Sequence, residues 1–80
     1  MRYTLTVMEG VDAGRVMPLP AEGRFVVGRG IAADGRLNEA GVSRDHCALA
    51  IQGDSVTLHD SGSVNGTLVN GRRVTTIFLK

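Results

Sequence analysis

Two dipeptides, Gly53-Asp54 and Asn70-Gly71, constrain this chain more than any other feature. Each separates two short runs rich in strand-forming residues, the arrangement that marks a tight hairpin turn. Before Gly53 lies His46–Gln52, with Cys47, Leu49 and Ile51 on one face and the small Ala48 and Ala50 on the other. That pattern predicts a strand covered on both faces. After Asp54, Ser55–Asp60 turns Val56 and Leu58 inward and Ser55, Thr57 and His59 outward, and Thr67–Val69 and Arg72–Val74 flank Asn70-Gly71.

The rest of the chain has the same short period. Tyr3, Leu5 and Val7 alternate with Arg2, Thr4 and Thr6, and Arg15–Leu19 returns after a Gly-rich loop. Pro18 and Pro20 mark that returning strand as an edge, or as ending there. Phe25 and Val27 share a face of Arg24–Arg29, and Gly30 to Gly41 reads as a loop with a short strand near Arg36-Leu37. The tail Thr75–Lys80 is one more candidate strand. Apolar residues never recur at helical spacing for long, so the expectation is all-β: a two-sheet antiparallel sandwich.

Eighty residues suffice for one domain, 1–80, near the low end of what folds without staples. With a net charge of +1 there is no broad field to attract nucleic acid or an anionic membrane, so any anion site must be local. Three aromatic residues (Tyr3, Phe25 and Phe78) make no stacking platform. No apolar run approaches the length of a membrane span, and Met1-Arg2-Tyr3-Thr4 opens into a strand pattern with no signal-peptide character. A single cysteine, Cys47, leaves no internal disulfide and no multi-cysteine metal site, and fits a reducing cytoplasm. Neither a cofactor nor a metal is expected.

Two polar clusters bracket the hairpin around Gly53-Asp54. Ser43-Arg44-Asp45-His46 leads into its first strand, and Asp60-Ser61-Gly62-Ser63-Val64-Asn65-Gly66-Thr67 leaves its second. Both therefore lie at the same end of the sheet. Small polar side chains, an arginine and glycine-freed amides suit capture of an anion. The residues alone leave a second reading open, in which Ser, Asn and Gly are there because turns need them.

The ordered blocks Gly28-Arg29, Ser43-Arg44-Asp45-His46, and Ser63-Val64-Asn65-Gly66-Thr67 with Val69-Asn70-Gly71 resemble the forkhead-associated (FHA) domain, whose spaced signature is Gly-Arg, Ser-x-x-His and Asn-Gly. The resemblance covers roughly Gly23 to Val74, and Tyr3–Leu19 fits the family's first hairpin. It implies a non-catalytic module that binds phosphothreonine in an extended peptide and serves as a reader for a Ser/Thr kinase. Carried over residue by residue, Arg29 would grip the phosphate, and Ser43 would donate its hydroxyl or its backbone amide. Arg44 would add a second charge, Asn65 would bond the peptide backbone, and Asn70 would reach the peptide further along. Gly28, His46, Gly66 and Thr67 would shape the binding loops. For Arg44 the alternative is a solvated side chain, and for Asn70 a plain turn.

Two departures stand out. Many family members carry Ser or Thr where this chain has Val64, so one hydrogen bond to phosphate is missing. The family also has a further turn and two more strands after the part matching Thr75–Lys80, in the middle of one sheet. Without them the first hairpin lacks a neighbour, and the expectation is a fragment, a different closure, or a sheet completed by a partner or a second copy. These departures support a runner-up, a phosphate-independent assembly module of the same fold. A catalytic reading of Ser43, His46 and Asp45 or Asp60 has no nucleophile-elbow or phosphate-loop pattern beside it.

Overall fold

In the computed structural model, which describes residues 3–79, nine short strands and no helix follow one another. Arg2 and Lys80, which the sequence pattern assigns to the first and last strands, lie outside the described residues. The strands are β1 (Thr4–Thr6), β2 (Val16–Pro18), β3 (Gly23–Gly28), β4 (Gly35–Arg36), β5 (Cys47–Gln52), β6 (Ser55–Asp60), β7 (Thr67–Val69), β8 (Arg72–Val74) and β9 (Thr76–Leu79). Five of them form one sheet in the order β4-β3-β5-β6-β9, while β1-β2 and β7-β8 are separate two-stranded ribbons.

The expected turns explain the register. Gly53 has φ +59, the left-handed region a tight two-residue turn requires, and β5 runs back on β6 with Gln52 opposite Ser55 and Cys47 opposite Asp60. Asn70 and Gly71 both take positive φ, 52° and 80°, as a type I′ turn demands, and Val69 faces Arg72. Pro18 ends β2 opposite Thr4, on a ribbon with no further neighbour among the described residues.

The core lies between the β1-β2 ribbon and the large sheet. Met17 and Leu19 meet Phe25, Val27, Cys47, Leu49, Ile51 and Val56, with Tyr3, Leu5, Val7, Leu58 and Leu79 packed at its margin. These are the inward positions that alternation assigns. A hollow of about 490 Å³ remains between the two layers, lined by Leu5, Met17, Leu19, Leu49 and Val56 among others. Its lining is mostly apolar.

Two expectations need correction. The large sheet is mixed, not purely antiparallel, because β4 pairs with β3 in parallel, Val27 beside Gly35 and Gly28 beside Arg36. The short segment 29–34 carries the chain back so that Gly35-Arg36 runs beside Val27-Gly28 in the same direction. Second, β5 is covered on both faces only over its first part: Ala48 is buried but Ala50, on the same face, is exposed. No element among the described residues packs over the outer face at Ala50, and a small side chain there is consistent with an open face as well as a covered one.

Candidate functional site

The polar end of the large sheet is assembled by backbone pairing. Gly28 ends β3, and a Cβ built there runs into the Arg44 carbonyl, so only glycine allows this approach. Because the strand end and the loop lie so close, the Arg29 amide donates to Ser43 O at 2.9 Å and the Gly30 amide to Arg44 O at 3.0 Å. Gly28-Arg29 and Ser43-Arg44 are thereby locked side by side. Arg29 adds a bond from Nε to Val42 O at 3.0 Å, which fixes the guanidinium at its inner nitrogen. Its two terminal nitrogens make no protein hydrogen bond among the described residues, and the side chain is exposed.

His46 ties the two clusters together. Its Nδ1 accepts from the Ser43 amide at 3.0 Å and its Nε2 donates to Gly66 O at 2.7 Å, a pair of bonds that only the neutral Nε2–H tautomer makes. With the Ser43 amide engaged this way, the amide is not free to meet an anion; the hydroxyl is. Ser43 Oγ accepts from the Val64 amide at 3.0 Å, which leaves its O–H to donate elsewhere. The imidazole contacts the Ser43 main chain and not its hydroxyl, and both ring nitrogens are occupied. This is not the geometry of an activated nucleophile.

The second cluster is organised by Asp60, whose role the sequence reading missed. Its carboxylate accepts from the amides of Gly62 (3.0 Å) and Ser63 (3.1 Å) and from the hydroxyls of Ser63 (2.5 Å) and Thr67 (2.6 Å). These bonds, the Ser63 and Thr67 hydroxyls foremost, hold the Asp60 carboxyl well below the usual carboxylate range. Ser63 is buried with its polar groups satisfied. The signal was available: Asp followed two and three residues later by Gly and Ser is the spacing of a side chain folding back on its own loop. From this braced loop Asn65 extends to Gly41, Nδ2 donating to the carbonyl at 2.8 Å, with its Oδ1 making no hydrogen bond among the described residues.

The outcome is a cleft of about 320 Å³ lined by Arg29, Ser43, Arg44, Val64 and Asn65 together with the Ala40-Gly41-Val42 segment. Four of the five residues named as phosphopeptide contacts thus meet in one place. The fifth, Asn70, does not line the cleft; it sits exposed at the β7-β8 turn. Gly28, His46, Gly66 and Thr67 lie behind the cleft, in the bonds just described. His59, given no task by the sequence, bonds Thr76 Oγ1 at 2.7 Å and helps join β6 to β9. Cys47 is buried and free, and burial pushes its thiol up, so it stays protonated.

Asp12, a buried carboxylate, does for the far loop what the half-buried Asp60 does here. It accepts from the Asn38 amide at 2.6 Å and from Asn38 Nδ2 at 2.8 Å, which lowers it below its ordinary range and ties the β1-β2 loop to the segment after β4. Among the described residues no group of His, Cys, Asp and Glu has the arrangement of a metal site.

A short-loop sandwich with such a cleft at one end is the architecture of an FHA domain. Residues 6–80 match the family described as "Inner membrane component of T3SS, cytoplasmic domain", and the chain belongs to that FHA-like family. The FHA domain-containing protein FhaA of Mycobacterium tuberculosis is 41% identical over 71 residues, 89% of this chain, and the chain spans only 13% of FhaA's length. A solved chain from "Structural and functional analysis of phosphothreonine-dependent FHA domain interactions" superposes with a TM-score of 0.91 at 38% identity, over 100% of this chain and 80% of that one. The FhaA FHA domain complexed with the intracellular domain of Rv3910 superposes at 0.87 and 39% identity, over 96% of this chain and 81% of that one.

Proposed function

We propose that this domain is a non-catalytic reader that captures phosphothreonine in an extended segment of a partner protein. One observation carries the reading. Arg29 is anchored at Nε with its terminal nitrogens unbonded, beside a Ser43 hydroxyl whose oxygen is already positioned by the Val64 amide. Both groups are thus oriented before any ligand arrives, which lowers the entropy lost on binding. Arg29 would take two phosphate oxygens, Ser43 O–H a third contact, Arg44 would add charge from the rim, and Asn65 would exchange its Gly41 bond for the peptide backbone. The related structures solved for phosphothreonine-dependent interactions support the same chemistry. The cytoplasmic description of the matched family supports a partner met on the cytoplasmic side, and a Ser/Thr kinase acting there would supply the phosphothreonine.

A second reading has its own support in the β1-β2 and β7-β8 ribbons, whose edges have no neighbouring strand among the described residues and suit pairing with another strand. Calorimetric titration separates the two. Phosphothreonine peptides should bind saturably, phosphoserine peptides more weakly and unphosphorylated ones not at all, and Arg29→Ala should abolish the signal. Binding indifferent to the phosphate would leave the assembly reading in front, and light scattering on the same sample would show whether a dimer carries it.

A further inference from the structure

Val64 is 85% exposed, yet its backbone is among the most tightly held in the cleft. Its amide is bonded to Ser43 Oγ, its predecessor Ser63 is buried against Asp60, and its successor Asn65 reaches Gly41. An aliphatic side chain is therefore presented, in a fixed place, on the wall of a cleft otherwise lined by two arginines, a serine, an asparagine and the apolar Ala40 and Val42, of which Val42 is half-buried while Val64 stands open. A turn does not require valine; β-branched residues are poor turn formers, and any hydroxyl residue would have served the anion better.

From this arrangement we propose that Val64 sets sequence specificity: the cleft favours phosphothreonine peptides carrying an aliphatic side chain within two residues of the phosphothreonine. The inference rests on the phosphothreonine reading above and adds which peptides are chosen. Consecutive Cα atoms lie about 3.8 Å apart, so Val64 is one such step from the Asn65 that would hold the peptide backbone. An extended peptide advances about 3.3 Å per residue, which brings only the nearest neighbours of the phosphothreonine within reach of Val64. An aliphatic neighbour would cover the valine and exclude water from both. Serine or aspartate there would lose its hydration against an apolar wall and gain nothing.

The test is a set of phosphothreonine peptides with leucine, serine or glutamate placed in turn at each of the two positions on either side, measured by fluorescence anisotropy with the natural protein and with Val64→Ser. Each methylene buried against Val64 is worth about 4-fold in affinity, so leucine should exceed serine by about 4- to 15-fold at one position. The readout is that ratio within each protein, and in Val64→Ser it should fall towards one. A ratio that is the same in both proteins overturns the assignment to Val64 while leaving phosphothreonine recognition standing. Failure of the natural protein to bind any of these peptides more tightly than its unphosphorylated form overturns both.

Discussion

The β5-β6 hairpin ends in residues of one kind at both tips, and the two tips do different things. At one, Gly53 and Asp54 reverse the chain; space beside Gly53 is open, and among the described residues the one side-chain bond to the turn is Tyr3 Oη to Asp54 O at 2.9 Å. At the other, Ser43, His46, Asp60, Ser63, Asn65 and Thr67 share a connected set of hydrogen bonds that brace two loops against each other. Composition does not separate the tips, since glycine, aspartate and serine serve turns in both. Connectivity does. A turn needs its backbone angles satisfied, whereas a binding site also needs its side chains held in place before the ligand comes.

The largest effect that would break this contrast is on affinity. If Arg29 holds the phosphate as proposed, Arg29→Ala removes two charge-assisted bonds of roughly 1.5–3 kcal/mol each, a loss of about 100-fold or more in phosphothreonine-peptide binding. Because Arg29 is exposed and its packing slight, the unfolding midpoint in urea should hardly move. Affinity retained in this variant would mean that the braced tip is only a more elaborate turn.

Next is the brace itself. His46→Ala orphans the Ser43 amide and the Gly66 carbonyl, and should cost about 1–3 kcal/mol of stability by urea unfolding and weaken peptide binding as well. Asp54→Ala at the opposite tip should stay within about 0.5 kcal/mol, because Tyr3 bonds the main chain there and not the carboxylate. Equal effects at the two tips would erase the distinction between them.

A third effect depends on pH. Asp60 is held below the usual carboxylate range by the Ser63 and Thr67 hydroxyls, then by loop amides. A carboxylate depressed in the folded state adds stability that is complete above its unfolded value, about pH 4, and fades as acid carries the solution towards the folded value. Asp60→Asn should therefore be less stable than the natural protein at pH 7, with the gap between them narrowing by pH 3. A gap that does not change with pH would show that the charge of Asp60 contributes nothing to the loop.

How much of this was legible follows the same division. Strand positions were readable because a half-buried strand must alternate, so Phe25, Val27, Leu49 and Val56 fell on the core face as their spacing required. The parallel β3-β4 pair was not, because a two-residue strand carries no period to read. At the site, motif spacing brought Arg29, Ser43, Arg44 and Asn65 to one cleft. What spacing does not encode is which atom of a residue is already used. Ser43 has an amide and a hydroxyl, both plausible donors to phosphate, and only the approach of His46 Nδ1 decides between them. For Asp60 the spacing to Gly62 and Ser63 hinted at a side chain folding back on its own loop, but not that Thr67, seven residues on, would join the same carboxylate.

The smallest effect concerns the turn that stands between the two kinds. Asn70 matches a family position that would reach the peptide, but it also occupies the left-handed region at φ 52, where asparagine is among the few residues at ease. Asn70→Gly keeps that conformation available and removes the amide side chain, so as a turn residue alone it should change stability by no more than about 0.5 kcal/mol and leave affinity where it was. Asn70→Val forces a β-branched residue into the same angles and should cost about 1–2 kcal/mol. If the glycine variant folds like the natural protein but binds the phosphothreonine peptide several-fold more weakly, Asn70 contacts the ligand from outside the cleft seen here. Its turn would then belong with the braced loops. If glycine is neutral in both measurements, Asn70-Gly71 belongs with Gly53-Asp54, as a reversal of the chain that the site does not use.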